Sequence, residues 1–327
     1  MYSLPLEAKL DVLKCLDFDQ LTSFKLTNFY FLNLINNYEG ELCFRMKFKQ
    51  ISINVNLQGL DSYKIIEPKP GFVKYILNDK RKKWKAPIVP RHRSFPLLLF
   101  DIFSVNERNS LYSFICIERT FDNLLDNEAR YYILKLPIFP RSFEELAIIR
   151  YSLGQLFTNS VFEYALFTEA VFNPELLNLL FNDNKTISTT KFHIQNPNLF
   201  PRRSISFDYI WEFVSNHLTI SDCLTIDFVK NNAIYWFEWL YYDIIEHITN
   251  SKDCSQMVAN ISIQFSSRPK FKLSERAKKV EIKQLNGVKY TKYQISNIHN
   301  PKVKFSFCNE EGKYGSVLSV KIKKMKV

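Results

Sequence analysis

Six short runs of β-forming residues recur through the second half of the chain, with helical patterns between several of them. The runs are KFHIQN (191–196), CLTIDFV (223–229), ISIQFSS (261–267), KVEIKQL (279–285), KVKFSFCN (302–309) and VLSVKIKK (317–324). FDYIWEFVSNHL (207–218), NAIYWFEWLYYDIIEHIT (232–249) and TKYQISNI (291–298) read as helices. Strand, helix and strand in succession imply a parallel sheet, because a parallel pair needs a crossover long enough to carry the chain back.

Two further strands, LYSFICIE (111–118) and YYILKLP (131–137), precede this array and read as a pair. SFEELAIIRYSLGQLF (142–157) opens with a capping box, Ser142 and Glu145, and continues as an amphipathic helix. NPELLNLLF (173–181) is a short helix capped by Asn173. The loose β-to-β period predicts an irregular, leucine-rich-repeat-like α/β domain over residues 96–327, with a single compact α/β sandwich as the rival. Residues 48–95 read as a basic, proline-containing connector, since KAPIVPRHRSFP (85–96) holds three prolines and four basic residues.

The N-terminus differs in texture. Leu6, Leu10, Leu13 and Leu16 recur at helical spacing, and Val12 widens the stripe. Pro5 suits a first helical turn, and Glu7 sits near the positive end of the helix dipole. Asp19 can cap a second helix carrying Leu21, Phe24 and Leu26, and Asn28 a third carrying Phe29, Leu32 and Ile35. Three short helices over residues 1–47 have more apolar surface than they can bury in one another, so a partner or the following domain must cover the rest.

In order, Leu4, Pro5, Glu7, Leu10, Val12, Leu13, Leu16, Asp17, Leu21, Phe24, Leu26, Phe29, Leu34 and Ile35 fall at the anchor positions of a known pattern. The stretch resembles an F-box. It departs from the family at Thr27-Asn28 and at Cys43-Phe44, near a common tryptophan. SKDCSQMV (251–258), FKLSERAKKVEIKQLN (271–286) and YQISNIHNPKVKFSF (293–307) resemble the C-terminal region of the expanded F-box family of plant-parasitic nematodes. The resemblance implies an α+β and α/β chain, a three-helix F-box followed by the repeat-like domain. It also implies a non-catalytic adaptor of a Skp–cullin–F-box ubiquitin ligase. Leu4, Pro5, Glu7, Leu10, Leu13, Leu16, Leu21, Phe24 and Leu26 would meet the Skp-type adaptor of the cullin ligase core, and the C-terminal domain would hold an unknown protein substrate. No cofactor or metal is expected. Two alternatives stay open: a basic nucleic-acid-binding protein with an F-box-like N-terminus, and an F-box protein acting outside a ligase.

Charge is unevenly distributed. Residues 64–93 hold ten bases and two acids, net +8; residues 268–327 hold sixteen and four, net +12; residues 94–267 hold twelve and twenty, net −8. Lys80, Arg81, Lys82, Lys83 and Lys85, followed by the RHR run at 91–93, suit a solvated linker, a nuclear import signal or an anion contact. Trp84 inside the run can stack on a base or anchor the linker. Nucleic acid remains the less favoured partner.

No apolar run is long enough to suggest a membrane span. Six scattered cysteines without a CxxC fit reduced thiols in an intracellular protein, cytoplasmic or nuclear. GxSxG, GxxxxGK[ST] and GxGxxG are absent, and seven glycines leave little material for phosphate cradles. DIIEH (243–247) approaches a zinc pattern, but Asp243 stands where a histidine is needed, so it reads as a polar stripe on a helix. Cys254 beside Asp253 reads as a structural thiol rather than a nucleophile.

Overall fold

The computed structural model describes residues 4–16, 24, 29–38, 46–53, 57–67, 95–100, 112–120, 129–181, 191–201, 207–228, 236–252, 257–265, 269–312 and 315–325. Among them lie a thirteen-stranded mixed sheet, a two-stranded sheet and six α-helices. The chain begins with α1 (Leu6–Lys14) and α2 (Phe29–Asn37). Strands β1 (Met46–Ile53), β2 (Tyr63–Ile66), β3 (Leu98–Phe100), β4 (Tyr112–Arg119) and β5 (Tyr131–Pro137) follow. Then come α3 (Phe143–Asn159), β6 (Ser160–Thr168), β7 (Ala170–Phe172), α4 (Pro174–Phe181), β8 (Phe192–Phe200) and α5 (Phe207–His217). Strands β9 (Leu218–Ile220) and β10 (Leu224–Asp227), helix α6 (Trp236–Asn250) and strand β11 (Asn260–Gln264) complete the middle. Four strands close the chain: β12 (Lys278–Leu285), β13 (Val288–Ser296), β14 (Lys304–Glu311) and β15 (Val317–Lys324).

The strand order is β12-β13-β14-β15-β11-β10-β8-β6-β1-β4-β5-β2, with β9 also on β8 and β3 paired to β7 apart. Five central strands, β1, β6, β8, β10 and β11, run parallel and lie in chain order. Crossovers of one hand laid in one direction put every connecting helix on one face. Accordingly α3 through α6 share a single core with the inward side chains of the sheet. Read in register, Leu134, Ile115, Ile53, Phe167, Leu199, Ile226, Ile263 and Val320 form one buried row across eight strands.

This architecture corrects the expected fold class. The parallel strands are not a repeat-like array but the middle of one mixed sheet, continued by antiparallel strands on both sides. The last four strands form a meander, whose short links leave no room for crossover helices. TKYQISNI is not a helix; it belongs to β13, where alternating Tyr293 and Ile295 face the core. At the N-terminus, two helices stand among the described residues rather than three, with Phe24 a single helical residue between them. The first strand of the main sheet starts at Met46 and lies near the centre of the sheet.

Local chemistry explains several elements. Ser142 Oγ accepts from Glu145 N at 3.2 Å, and the Glu145 carboxylate accepts from Arg141 N, so the capping box starts α3. Asn173 Oδ1 accepts from Glu175 N at 3.1 Å, while its Nδ2 donates to Pro96 O. Asn286 (φ 51°) and Gly287 (φ 79°) supply the paired positive φ of a two-residue hairpin turn between β12 and β13. No described helix is long and apolar enough to cross a membrane.

Candidate functional site

Because the described helices of the main core pack on one side, the opposite face of the central sheet carries polar side chains. One row on that face, read in register, runs Ile65, Ile133, Cys116, Ser52, Leu166, Asn198, Thr225, Ser262, Lys321, Cys308, Lys292 and Glu281, of which Ile133, Cys116 and Ser52 are buried. Its chemistry changes along its length: apolar at β2 and β5, amide and hydroxyl in the centre, and cationic over β15 and β13.

A kink beside that row re-aims neighbouring side chains. Inward positions Phe48 and Ile51, Phe162 and Ala165, and Ile194 and Pro197 are three residues apart instead of two. The pairings Gln50–Tyr164 and Tyr164–Asn196 stack these irregularities across three strands. Pro197, which can donate nothing to a ladder, is tolerated in a central strand at such a kink. The break between β9 and β10 at Ser221–Cys223 continues the line. Bulges of this kind turn side chains outward.

The kink gathers charge. The buried carboxylate of Glu118 accepts from Arg130 Nη2 at 2.7 Å and from Lys49 Nζ at 3.0 Å. Burial pushes its pKa up, but the hydrogen bonds and charges of Arg130 and Lys49 outweigh this and hold it below the usual carboxylate range. Next along the face, a hydrogen bond to Glu163 raises the Tyr164 phenol, with Asp222 adding to the effect. Burial pushes the Cys116 thiol up to about 11, helped by Glu118, and burial with Asp222 raises Cys223. Both stay protonated at neutral pH, which makes them poor nucleophiles. From β6 through the meander this face is part-exposed and offers charges, amides and a phenol, whereas over β5, β4 and β1 Ile133, Cys116, Ser52 and Glu118 are buried.

The N-terminal helices form a second surface. Leu10, Leu13, Phe31, Leu34 and Ile35 make a cluster of their own, separate from the sheet core among the described residues, with Leu16, Phe24 and Tyr38 packed against it. Phe24 meets Phe31 edge-on at 4.9 Å. Lys9, though buried, donates from Nζ to Tyr30 Oη at 2.8 Å. Outside the cluster, Leu4 (39% exposed), Leu6, Val12 (44%) and Tyr30 face solvent, as do Pro5 and Glu7. Of the residues singled out for adaptor contact, Leu4, Pro5 and Glu7 are therefore outward, Leu10 and Leu13 inward, and Leu16 and Phe24 half-buried. Leu21 and Leu26 lie outside the described residues, as do Lys80, Arg81, Lys82, Lys83, Lys85, Trp84, the RHR run and Cys254.

Elsewhere, the DIIEH stretch sits in α6. His247 packs edge-on to Trp211 at 5.0 Å, and burial lowers its pKa. Burial raises the Asp243 carboxyl, with Asp208 and Glu246 adding repulsion. No group of three metal-ligating side chains occurs among the described residues. An open groove of about 560 Å³ lies between α6 and the segment 272–276, and Glu246, Glu275, Lys272 and Arg276 are among the residues that line it. The residues that converge at the sheet's kink, Lys49, Glu118, Arg130, Tyr164 and Asp222, carry no sequence motif. Only strand register brings them together.

No curated protein and no solved structure matches the chain. The family model described as "Domain of unknown function (DUF8381)" matches residues 66–229, a span from β2 to just past β10 that omits both the N-terminal helices and the C-terminal meander. With half of its length in that match, the chain belongs to the DUF8381 family.

Proposed function

We propose that the chain is a non-catalytic recognition subunit of a Skp–cullin ubiquitin ligase. Its N-terminal helices dock the Skp-type adaptor, and its sheet domain holds a protein substrate. The observation that carries this reading is the separate N-terminal cluster: it closes its own small core yet leaves Leu4, Leu6, Val12 and Tyr30 outside. A helix pair with a surplus apolar face is what a helix-binding groove accepts. The F-box-like order of Leu4, Pro5 and Glu7 supports the choice of partner, since all three are exposed. The part-exposed polar face of the sheet from β6 through the meander supports recognition rather than bond-making. Such a subunit acts through proximity, raising the effective concentration of substrate lysines near the ubiquitin donor.

The test is co-expression with a Skp-type adaptor. Leu4→Ala combined with Pro5→Ala abolishes capture while circular dichroism of the sheet stays unchanged. Capture at wild-type strength refutes the assignment. Recovery of a cullin with the adaptor separates a ligase subunit from a protein that only sequesters the adaptor.

A further inference from the structure

The core-facing rows of the sheet do not end under cover at β12. Leu224, Ile261, Ile322, Phe307 and Tyr293 form one buried row that reaches β13. The next strand outward presents Val280 at 43% exposed and Ile282 at 62%. All 8 residues of β12 are exposed. The strand pairs only with β13, and no described residue makes a backbone hydrogen bond to its outer edge. An exposed edge with apolar side chains is a template for another strand.

Its charges select what that strand is. On the open face of the same edge stand Lys278, Lys283 and, one strand in, Lys292, against a lone Glu281 in β12 that makes an exposed 3.9 Å ion pair with Lys283. A second copy of β12 would add Lys278, Lys279 and Lys283 again to an edge that already carries them, with Glu281 the only acid in each strand. Like charges placed opposite in a sheet are destabilising. A nucleic acid would satisfy the lysines but would leave Val280 and Ile282 in water and the edge amides without a matching backbone. At the start of the strand, Lys279 takes a left-handed conformation (φ 54°) where two residues oppose Tyr293, which confines regular pairing to 281–285.

We infer that the outer edge of β12 is a strand-addition site for an extended, acidic peptide of a partner protein. The peptide alternates apolar residues, which continue the rows of Val280 and Ile282, with carboxylates, which meet Lys278, Lys283 and Lys292. This rests on the reading of the sheet domain as the recognition half and names the substrate segment that it takes.

The test uses the full chain alone, so adaptor docking does not enter the result. A fluorescein-labelled peptide alternating valine and glutamate is titrated by polarisation. Saturable micromolar binding is expected, with Ile282→Glu and Lys283→Glu each weakening it by about tenfold. Both side chains are exposed, and circular dichroism verifies that the variants fold. A valine–lysine peptide does not bind the wild type and gains binding to the Lys283→Glu chain. Methylating alternate backbone nitrogens of the glutamate peptide abolishes its binding. Equal affinity for the methylated peptide, or no binding by the unmodified one, overturns the proposal. So does a single-stranded oligonucleotide that competes more tightly for the same residues. Self-association that Ile282→Glu removes would assign the edge to a second copy instead.

Discussion

Replacing Leu13 by Ala tests whether the two cores are independent. Leu13 is fully buried (0% exposed) at the centre of a cluster of five buried side chains, none shared with the sheet core among the described residues. Leucine-to-alanine changes in packed cores cost about 3–5 kcal/mol. A small cluster with half-buried Leu16, Phe24 and Tyr38 at its rim collapses more readily, so about 2.5 kcal/mol is appropriate here. Folded units are held by roughly 0.1 kcal/mol per residue, so a unit of about 35 residues has a few kcal/mol in all. The substitution therefore removes most of the stability of the helix pair. Native-state hydrogen exchange reads this directly: protection in α1 and α2 falls by roughly 70-fold, while protection in β6, β8 and β10 is unchanged. Adaptor capture is lost in parallel. An equal loss of protection in the central strands refutes the reasoning, because it would mean that the helix pair supports the sheet.

Three further outcomes follow from single sites. Glu118→Gln weakens the Arg130 and Lys49 hydrogen bonds and lowers stability by about 1–2 kcal/mol at neutral pH. Because the folded carboxyl titrates below its unfolded value, that contribution is present above about pH 4.3 and disappears as pH falls through the folded pKa. Urea unfolding at pH 7 and at successively lower pH should thus show the gap between wild type and variant narrowing as the pH falls. Gly287→Ala meets no atom within 4 Å but forces a methyl group onto φ 79°, costing about 1 kcal/mol, seen as faster amide exchange confined to β12 and β13. A maleimide at pH 7 labels exposed Cys15 rapidly and Cys116 only on unfolding, since that thiol is both buried and poorly ionised; peptide mapping by mass spectrometry distinguishes them.

Local signals were legible wherever the chemistry is local. The Ser142–Glu145 box, the Asn173 cap and the alternation in YYILKLP, KVKFSFCN and VLSVKIKK mark elements that the structure contains. Asn286-Gly287 is an equally local signal for a hairpin and explains why TKYQISNI is a strand. Reading its helical spacing without that turn reverses the assignment. Strand β6, SVFEYALFT, escapes pattern reading for a different reason: the kink at Glu163-Tyr164 breaks the two-residue period by which a half-buried strand is recognised.

Architecture and site depend on pairings that no local pattern contains. Periodicity cannot distinguish a parallel repeat from the parallel middle of a mixed sheet, because both present β, α and β in turn. The difference lies in β1 inserting between β4 and β6, and in β15 returning antiparallel against β11. Both are long-range choices. The same holds for the charged row, where Glu118 meets Lys49 from 69 residues away and Arg130 from 12. Once the helices are confined to one face, however, the polar residues left on the other are no longer scattered substitutions in β-forming runs. Tyr164, Asn196, Asn198, Thr225, Ser262 and Lys321 are the outward half of an alternation whose inward half builds the core. Strands that bury one side only can vary the other without unfolding the domain. The surface freest to change its residues is therefore also the one whose sequence does least to reveal the fold.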